Sequence, residues 1–97
     1  MDIILKDKAL EDITLFKKIG NKQIQKKISE LIADILLHPE KGLGKPEQLK
    51  YKYSGLWSRR INNEHRIIYE IVNDELHILS LKEHYIISSQ KKDLAKI

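Results

Sequence analysis

An α+β domain with the element order β-α-α-β-β-β-β is predicted by three observations. Apolar residues in the first half recur at helical spacing. From about residue 48 the pattern switches to short strand-like runs. Between those runs stand Gly, Asn and Asp, the residues that turns demand.

Taken in order, Ile3, Ile4 and Leu5 form a run too short for a helix and suited to a buried strand. Asp7 can cap a helix in which Leu10, Ile13 and Phe16 recur, and Gly20 ends it. Asn21 is a cap for the next helix, whose stripe of Ile24, Ile28, Leu31, Ile32, Ile35 and Leu36 has the clearest periodicity in the chain. Pro39 stops it, because the residue before a proline is pushed out of helical conformation. So short a link makes the two helices an antiparallel hairpin that packs on something flat. After a loop punctuated by Pro39, Gly42, Gly44 and Pro46, strands are expected at residues 48–53, 56–61, 65–72 and 76–85. Their short turns make an antiparallel meander, with the helices on one face and the other face free to bind.

Alternation along the strands assigns side chains to the two faces. Ile67, Tyr69 and Ile71 should meet the helices, and Arg66, Ile68 and Glu70 should face away. A three-residue loop at Asn73, Asp74 and Glu75 sets Tyr69 opposite Leu79 and Ile67 opposite Leu81, both apolar pairs. Ile78, Ser80, Lys82 and His84 then join Arg66, as does Arg60. A two-residue turn would flip the last strand and expose Leu79 and Leu81.

Composition sets the class. The chain has 97 residues, 41% hydrophobic and 33% charged, which fits one globular domain. There is no cysteine, so disulfides and thiolate metal sites are excluded and a reducing cytoplasm is the expected home. The N-terminal apolar run is too short for a signal peptide, and no stretch approaches the ~20 apolar residues that span a bilayer. Between Lys41 and Arg66 lie seven basic residues and two acids, whereas the rest of the chain carries a net −1. Concentrated charge of this kind is the footprint of a polyanion-binding face. A lysine-rich surface kept only for solubility would spread it along the chain.

RNA is a polyanion that such a face can also cut. The 2′-hydroxyl is a nucleophile already in the substrate, so the protein need supply only a base, an acid and a cation for the phosphorane. Glu47 is the sole carboxylate among the basic residues of its segment and can be the base. His84 can be the acid, since imidazole titrates near neutrality. Arg66 can grip two phosphate oxygens in the transition state. Lys50 and Arg60, with Lys45 and Arg59 of the same cluster, are candidate phosphate holders, and Tyr53 or Tyr85 can stack on a base.

Each residue has a plainer explanation. A Glu among lysines is usually a surface ion-pair partner, and a histidine at a strand end is usually ordinary surface. His65 points toward packing, and His38 suits a helix C-terminus. His77 and His84 fall on opposite faces of one strand, which argues against a metal site between them. Trp57 and Tyr69 are most simply core aromatics. Spacing alone stops at an RNA- or polyanion-binding domain.

The motifs G-K-P-E-x-L-K at residues 44–50, S-G-x-W-S-R-R-I at 54–61, E-H-R-x-x-Y at 64–69 and the H-Y pair at 84–85 carry a further signal. Together they resemble the Txe/YoeB family of bacterial type II toxin–antitoxin toxins, in the RelE-like ribonuclease superfamily. The resemblance covers roughly residues 1–85, leaving 86–97 as a C-terminal extension amphipathic enough for a short helix. It implies the RelE/YoeB-like fold and ribosome-dependent cleavage of messenger RNA in the A site. It also implies that no metal or other cofactor takes part, and that the products carry a 2′,3′-cyclic phosphate and a 5′-hydroxyl. The family's Glu, Arg and His fall on Glu47, Arg66 and His84, its supporting cations on Lys50 and Arg60, and its closing aromatic on Tyr85. The partners implied are a cognate antitoxin of the Phd/YefM type and the ribosome with its message. Operator DNA would be met only through the antitoxin complex, and whether the toxin forms a homodimer is left open. The family pattern commonly ends at the H-Y pair, whereas this chain continues.

Two other functions are compatible with the fold. One is a non-catalytic toxin that grips a protein such as DNA gyrase, against which the Glu, Arg and His set argues. The other is an RNA- or operator-binding co-repressor.

Overall fold

The structure, a computed structural model, describes residues 1–82. The element order is β1 (Asp2–Leu5), α1 (Asp7–Lys18), α2 (Lys22–Leu37), β2 (Glu47–Gln48), β3 (Trp57–Arg60), β4 (Arg66–Val72) and β5 (Glu75–Ser80). The five strands form one sheet in the order β1-β5-β4-β3-β2. β1 runs parallel to β5, and the other neighbours are antiparallel. The α+β class and the helical hairpin packed on a meander are therefore as the sequence implied. Among the described residues no helix is long and apolar enough to cross a membrane.

Ile24, Ile28, Leu31 and Ile35 of α2 pack with Ala9 and Phe16 of α1 against Ile67, Tyr69, Leu76 and Ile78 of the sheet. Asn21 caps α2 by accepting from the Ile24 amide at 3.1 Å, a contact typically worth about 1 kcal/mol. Helix α1 differs from expectation at two points. Its N-cap is Lys6, with Asp7 inside the first turn. Its inner face is Ala9, Asp12 and Phe16, so Leu10 points outward and is half exposed. β1 is an exposed edge strand rather than a buried one, with Ile3 and Leu5 partly in solvent.

The run at 48–53 is a strand only over Glu47–Gln48; Tyr51–Tyr53 is a 3-10 turn. Tyr51 has φ +61°, which no continuing strand allows. The β4–β5 connection also departs from the sequence reading. It is the two-residue turn Asn73–Asp74, with φ +51° and +61°, values that Asn and Asp tolerate and that match the twist of a hairpin. This brings Ile78, not Leu79, opposite Tyr69, and puts His77 on the far face opposite Glu70. A bulge between Ile68 and Tyr69 then shifts the register so that Ile68 faces Ser80. The extra residue restores the alternation expected for the end of the strand, and Leu81 returns to the core.

The loop from α2 to β2 is fixed by one buried cation. Arg59 is fully buried on the helix side of β3 and uses all five of its N–H donors. Nε donates to the Tyr69 hydroxyl at 3.0 Å. Nη1 donates to Asp34 Oδ2 at 2.5 Å and to the Leu43 carbonyl at 3.2 Å. Nη2 donates to the His38 carbonyl and, at 2.8 Å, to that of Lys41. The Tyr69 hydroxyl passes its own proton to the Pro39 carbonyl at 2.7 Å, and burial pushes its pKa up. Asp34 also accepts from the Leu43 amide at 2.9 Å. Gly42 is required here, because a Cβ on it would collide with the Asp34 carboxylate.

Replacing Arg59 by Leu leaves Asp34 and three loop carbonyls without their donor. A loss of about 3–5 kcal/mol is expected in urea unfolding, against within about 0.5 kcal/mol for Arg60→Leu one residue later. The Leu43 amide and then Arg59 hold the Asp34 carboxyl below its ordinary 3.8. The folded protein thus binds fewer protons there than the unfolded chain. This stabilisation is complete above pH 3.8 and is lost as pH falls through the lowered native value. An acid titration of stability should show that loss in the wild type and not in Asp34→Asn.

Candidate functional site

The anchored loop delivers Glu47 to the sheet edge. Its Gly44 carbonyl accepts from the Arg60 amide at 2.6 Å. A Cβ at Gly44 would lie 2.9 Å from both the Arg60 carbonyl and a Leu31 methyl, so only glycine lets the loop approach β3 so closely. Three residues on, Glu47 pairs with Ser58, and farther along β3 Arg60 pairs with Arg66. Residues directly opposite each other share a face. Glu47, Ser58, Arg60 and Arg66 therefore stand together on the side away from the helices. Burial and the neighbouring Arg60 push the Arg66 guanidinium below its ordinary pKa, while Glu47 pushes it back up. Arg60 and the Glu47 carboxylate thus both act on the Arg66 guanidinium.

Part of that face is closed to solvent. Ser58 and Ile68 are fully buried on it, with Ser80 and Leu49 close to it in burial. The Ser58 hydroxyl is the one buried side-chain polar atom among the described residues without a hydrogen-bond partner.

The sequence-derived residues divide clearly. Glu47, Arg60 and Arg66 are brought together. Lys45 and Lys50 are exposed on the segment flanking Glu47, with Lys45 at φ +53°. Tyr53 is half-buried under the Lys52 ammonium, 5.2 Å from its ring centroid. Arg59 is corrected: placed with the RNA-binding residues on charge alone, it is an interior structural residue with every donor engaged inside the protein. His65 is structural as expected, buried with its ring edge-on to Phe16 at 5.3 Å. His84, Tyr85 and the extension lie outside the described residues.

Sequence reasoning missed Asp12. Buried on α1, its Oδ2 accepts from the amides of Leu81 at 2.9 Å and Lys82 at 3.1 Å, while Lys8 neutralises it at 2.6 Å. It thereby fixes the backbone two residues before His84. A carboxylate on the inner stripe of a helix, in line with Ala9 and Phe16, is the signal that marks it.

The family model described as the YoeB-like toxin of bacterial type II toxin-antitoxin systems matches residues 5–85. The chain belongs to the YoeB-like toxin family. It is 44% identical to Toxin YoeB of Escherichia coli K12 over 85 residues, 88% of this chain and all of that one. The structure superposes on a YoeB/ParE toxin from Agrobacterium tumefaciens with TM-score 0.84 at 32% identity, covering 88% of this chain and 100% of the other. It also superposes on the toxin of a YoeB-YefM complex from Staphylococcus aureus with TM-score 0.80 at 41% identity, covering 88% and 98%. The toxin thus carries the RelE-like fold of its relatives, and the matched segment includes every motif quoted above.

The unpaired hydroxyl gives a test of the buried face. Ser58→Ala should leave thermal stability unchanged or raise it by up to about 1 kcal/mol, because no hydrogen bond is lost. A clear loss of stability would show that the hydroxyl has a partner.

Proposed function

We propose that this toxin is a ribosome-dependent endoribonuclease that cuts messenger RNA in the A site and so stops translation. The observation that carries this reading is the convergence of Glu47, Arg60 and Arg66 on one face. Glu47 takes the proton from the 2′-hydroxyl, and the freed oxygen attacks the adjacent phosphorus. Arg66 spreads the charge that builds on the phosphorane oxygens, and Arg60 holds a neighbouring phosphate. The bond from phosphorus to the 5′-oxygen breaks as His84 gives that oxygen a proton. The products are a 2′,3′-cyclic phosphate and a 5′-hydroxyl, and no metal or redox partner is consumed. Lys45, Lys50 and Tyr85 complete the grip on the message.

Residues 1–85 form the toxin domain in this reading, with 86–97 appended to it. The Staphylococcus aureus relative has been solved with YefM and also as a dimer. An antitoxin of that kind is the inhibitor expected here, and a homodimer the expected assembly. Operator DNA is reached through the antitoxin complex. An acidic segment that folds on docking would occupy Arg60 and Arg66 and block the message.

Glu47→Gln and His84→Ala should each lower cleavage about 10²–10⁴-fold while thermal unfolding stays as in the wild type. Growth arrest and codon-spaced stops in primer extension on a translated message should disappear together. Full toxicity in both variants would refute the assignment.

A further inference from the structure

One polar group beneath the candidate site is left over. The Ser58 hydroxyl is fully buried, with no hydrogen-bond partner among the described residues. Buried hydroxyls in native proteins are nearly always paired, and each exception calls for a reason, a role at an active site being one.

The register shows which groups surround it. Directly opposite Ser58 stand Glu47 on β2 and Ile68 on β4, and the isoleucine has no polar side-chain atom to offer. Arg66 and Glu70 of β4 are diagonal to it, and Arg60 lies two residues along β3. A guanidinium has donors only, so neither arginine can take the hydroxyl proton. Glu70 can accept, but it faces His77 across β4 and β5. Diagonal neighbours are also about 7–8 Å apart, against about 4.5–5.5 Å between the Cβ atoms of a directly opposed pair. Glu47 is therefore the side-chain acceptor that the register brings closest.

Buried as it is, the hydroxyl cannot touch RNA on that face, whereas Glu47 is exposed and can. In the free toxin, water solvates the Glu47 carboxylate and leaves its torsions unrestrained. RNA lying on the face displaces that water. One carboxylate oxygen then turns to the 2′-hydroxyl, and the other needs a donor from the protein.

We propose that Ser58 is the positioning residue of the general base: with RNA in place its hydroxyl donates to the second oxygen of Glu47 and so aims the first. This rests on the endoribonuclease reading above and deepens it. A bond to a carboxylate in a site that RNA has dried is charge-assisted and stronger than its counterpart in water. It fixes a long side chain in the orientation that proton transfer requires. Because the bond forms only under the substrate, the hydroxyl stands unpaired without it.

The test is a double-mutant cycle on the full-length toxin, read as single-turnover cleavage of a message on translating ribosomes. Its members are the wild type, Ser58→Ala, Glu47→Ala and the two changes together. Ser58→Ala should lower the maximal rate about 10-fold, within the ~10²-fold that an ångström of misplacement can cost. The toxin concentration at half-maximal rate should stay as in the wild type, as should thermal unfolding. Ser58→Thr, which keeps the hydroxyl, should restore the rate. On top of Glu47→Ala, Ser58→Ala should cost no more than about 2-fold, since both changes remove one interaction.

A wild-type maximal rate in Ser58→Ala overturns the inference. So does a full additional loss on top of Glu47→Ala, because the hydroxyl would then act through another group. A shifted half-maximal concentration at unchanged rate overturns it too and makes Ser58 a determinant of RNA binding. In all three cases Glu47→Ala remains about 10²–10⁴-fold slow, and the endoribonuclease reading stands. If Glu47→Ala cuts at the wild-type rate, or the wild type makes no cuts on ribosomes, that reading fails and this inference falls with it.

Discussion

The interior guanidinium of Arg59 is the constraint on which the site depends. Burying a charge costs several kcal/mol of lost hydration, and here five hydrogen bonds and one carboxylate offset it. Lysine could not replace it, since an ammonium has three donors and no planar fork. The bonds run to the end of α2, to three carbonyls of the following loop and to a tyrosine of β4. A loop with two glycines and two prolines is thereby made into a fixed strut. What the strut carries is Glu47, two strand positions from where Arg60 meets Arg66. Neighbouring arginines on β3 thus point to opposite layers: one builds the scaffold from inside, and the next stands opposite Arg66 on the face away from the helices.

Much of this architecture is legible in the sequence, because the α2 stripe and the alternation in β4 are strong periodic signals. The turn at Asn73 was misread because reasoning from alternation assumes an unbroken strand. Its two residues accept positive φ, which permits the tighter turn, and the bulge beside Leu79 then undoes the flip that this turn imposes. Two local departures cancel, so Leu81 reaches the core by a route that alternation alone cannot show. Arg59 was misplaced for a different reason: its charge outweighed its position. It alternates with Trp57 and Ile61 on the helix side, and that parity already pointed inward.

Asp12 shows how a site can be supported from the opposite layer. It belongs to the helical hairpin and sits beneath the sheet, yet its carboxylate seizes the two amides with which β5 gives way to the segment bearing His84. Backbone amides at a strand end are free donors, so one buried acceptor suffices to set the chain's direction there. Together with Arg59 it gives the fold two ionic anchors, one on the loop that leads to Glu47 and one where β5 ends.

The pairing of Arg60 with Arg66 carries a further consequence. Like charges directly opposite in an antiparallel pair destabilise it, and after burial the nearness of Arg60 is the second cause that lowers the Arg66 pKa. Glu47 relieves only part of it. A sheet selected for stability alone would place an acid at one of these positions. Keeping two cations there concentrates positive charge on the face away from the helices. The proposed substrate and an acidic inhibitor would both be drawn to that face.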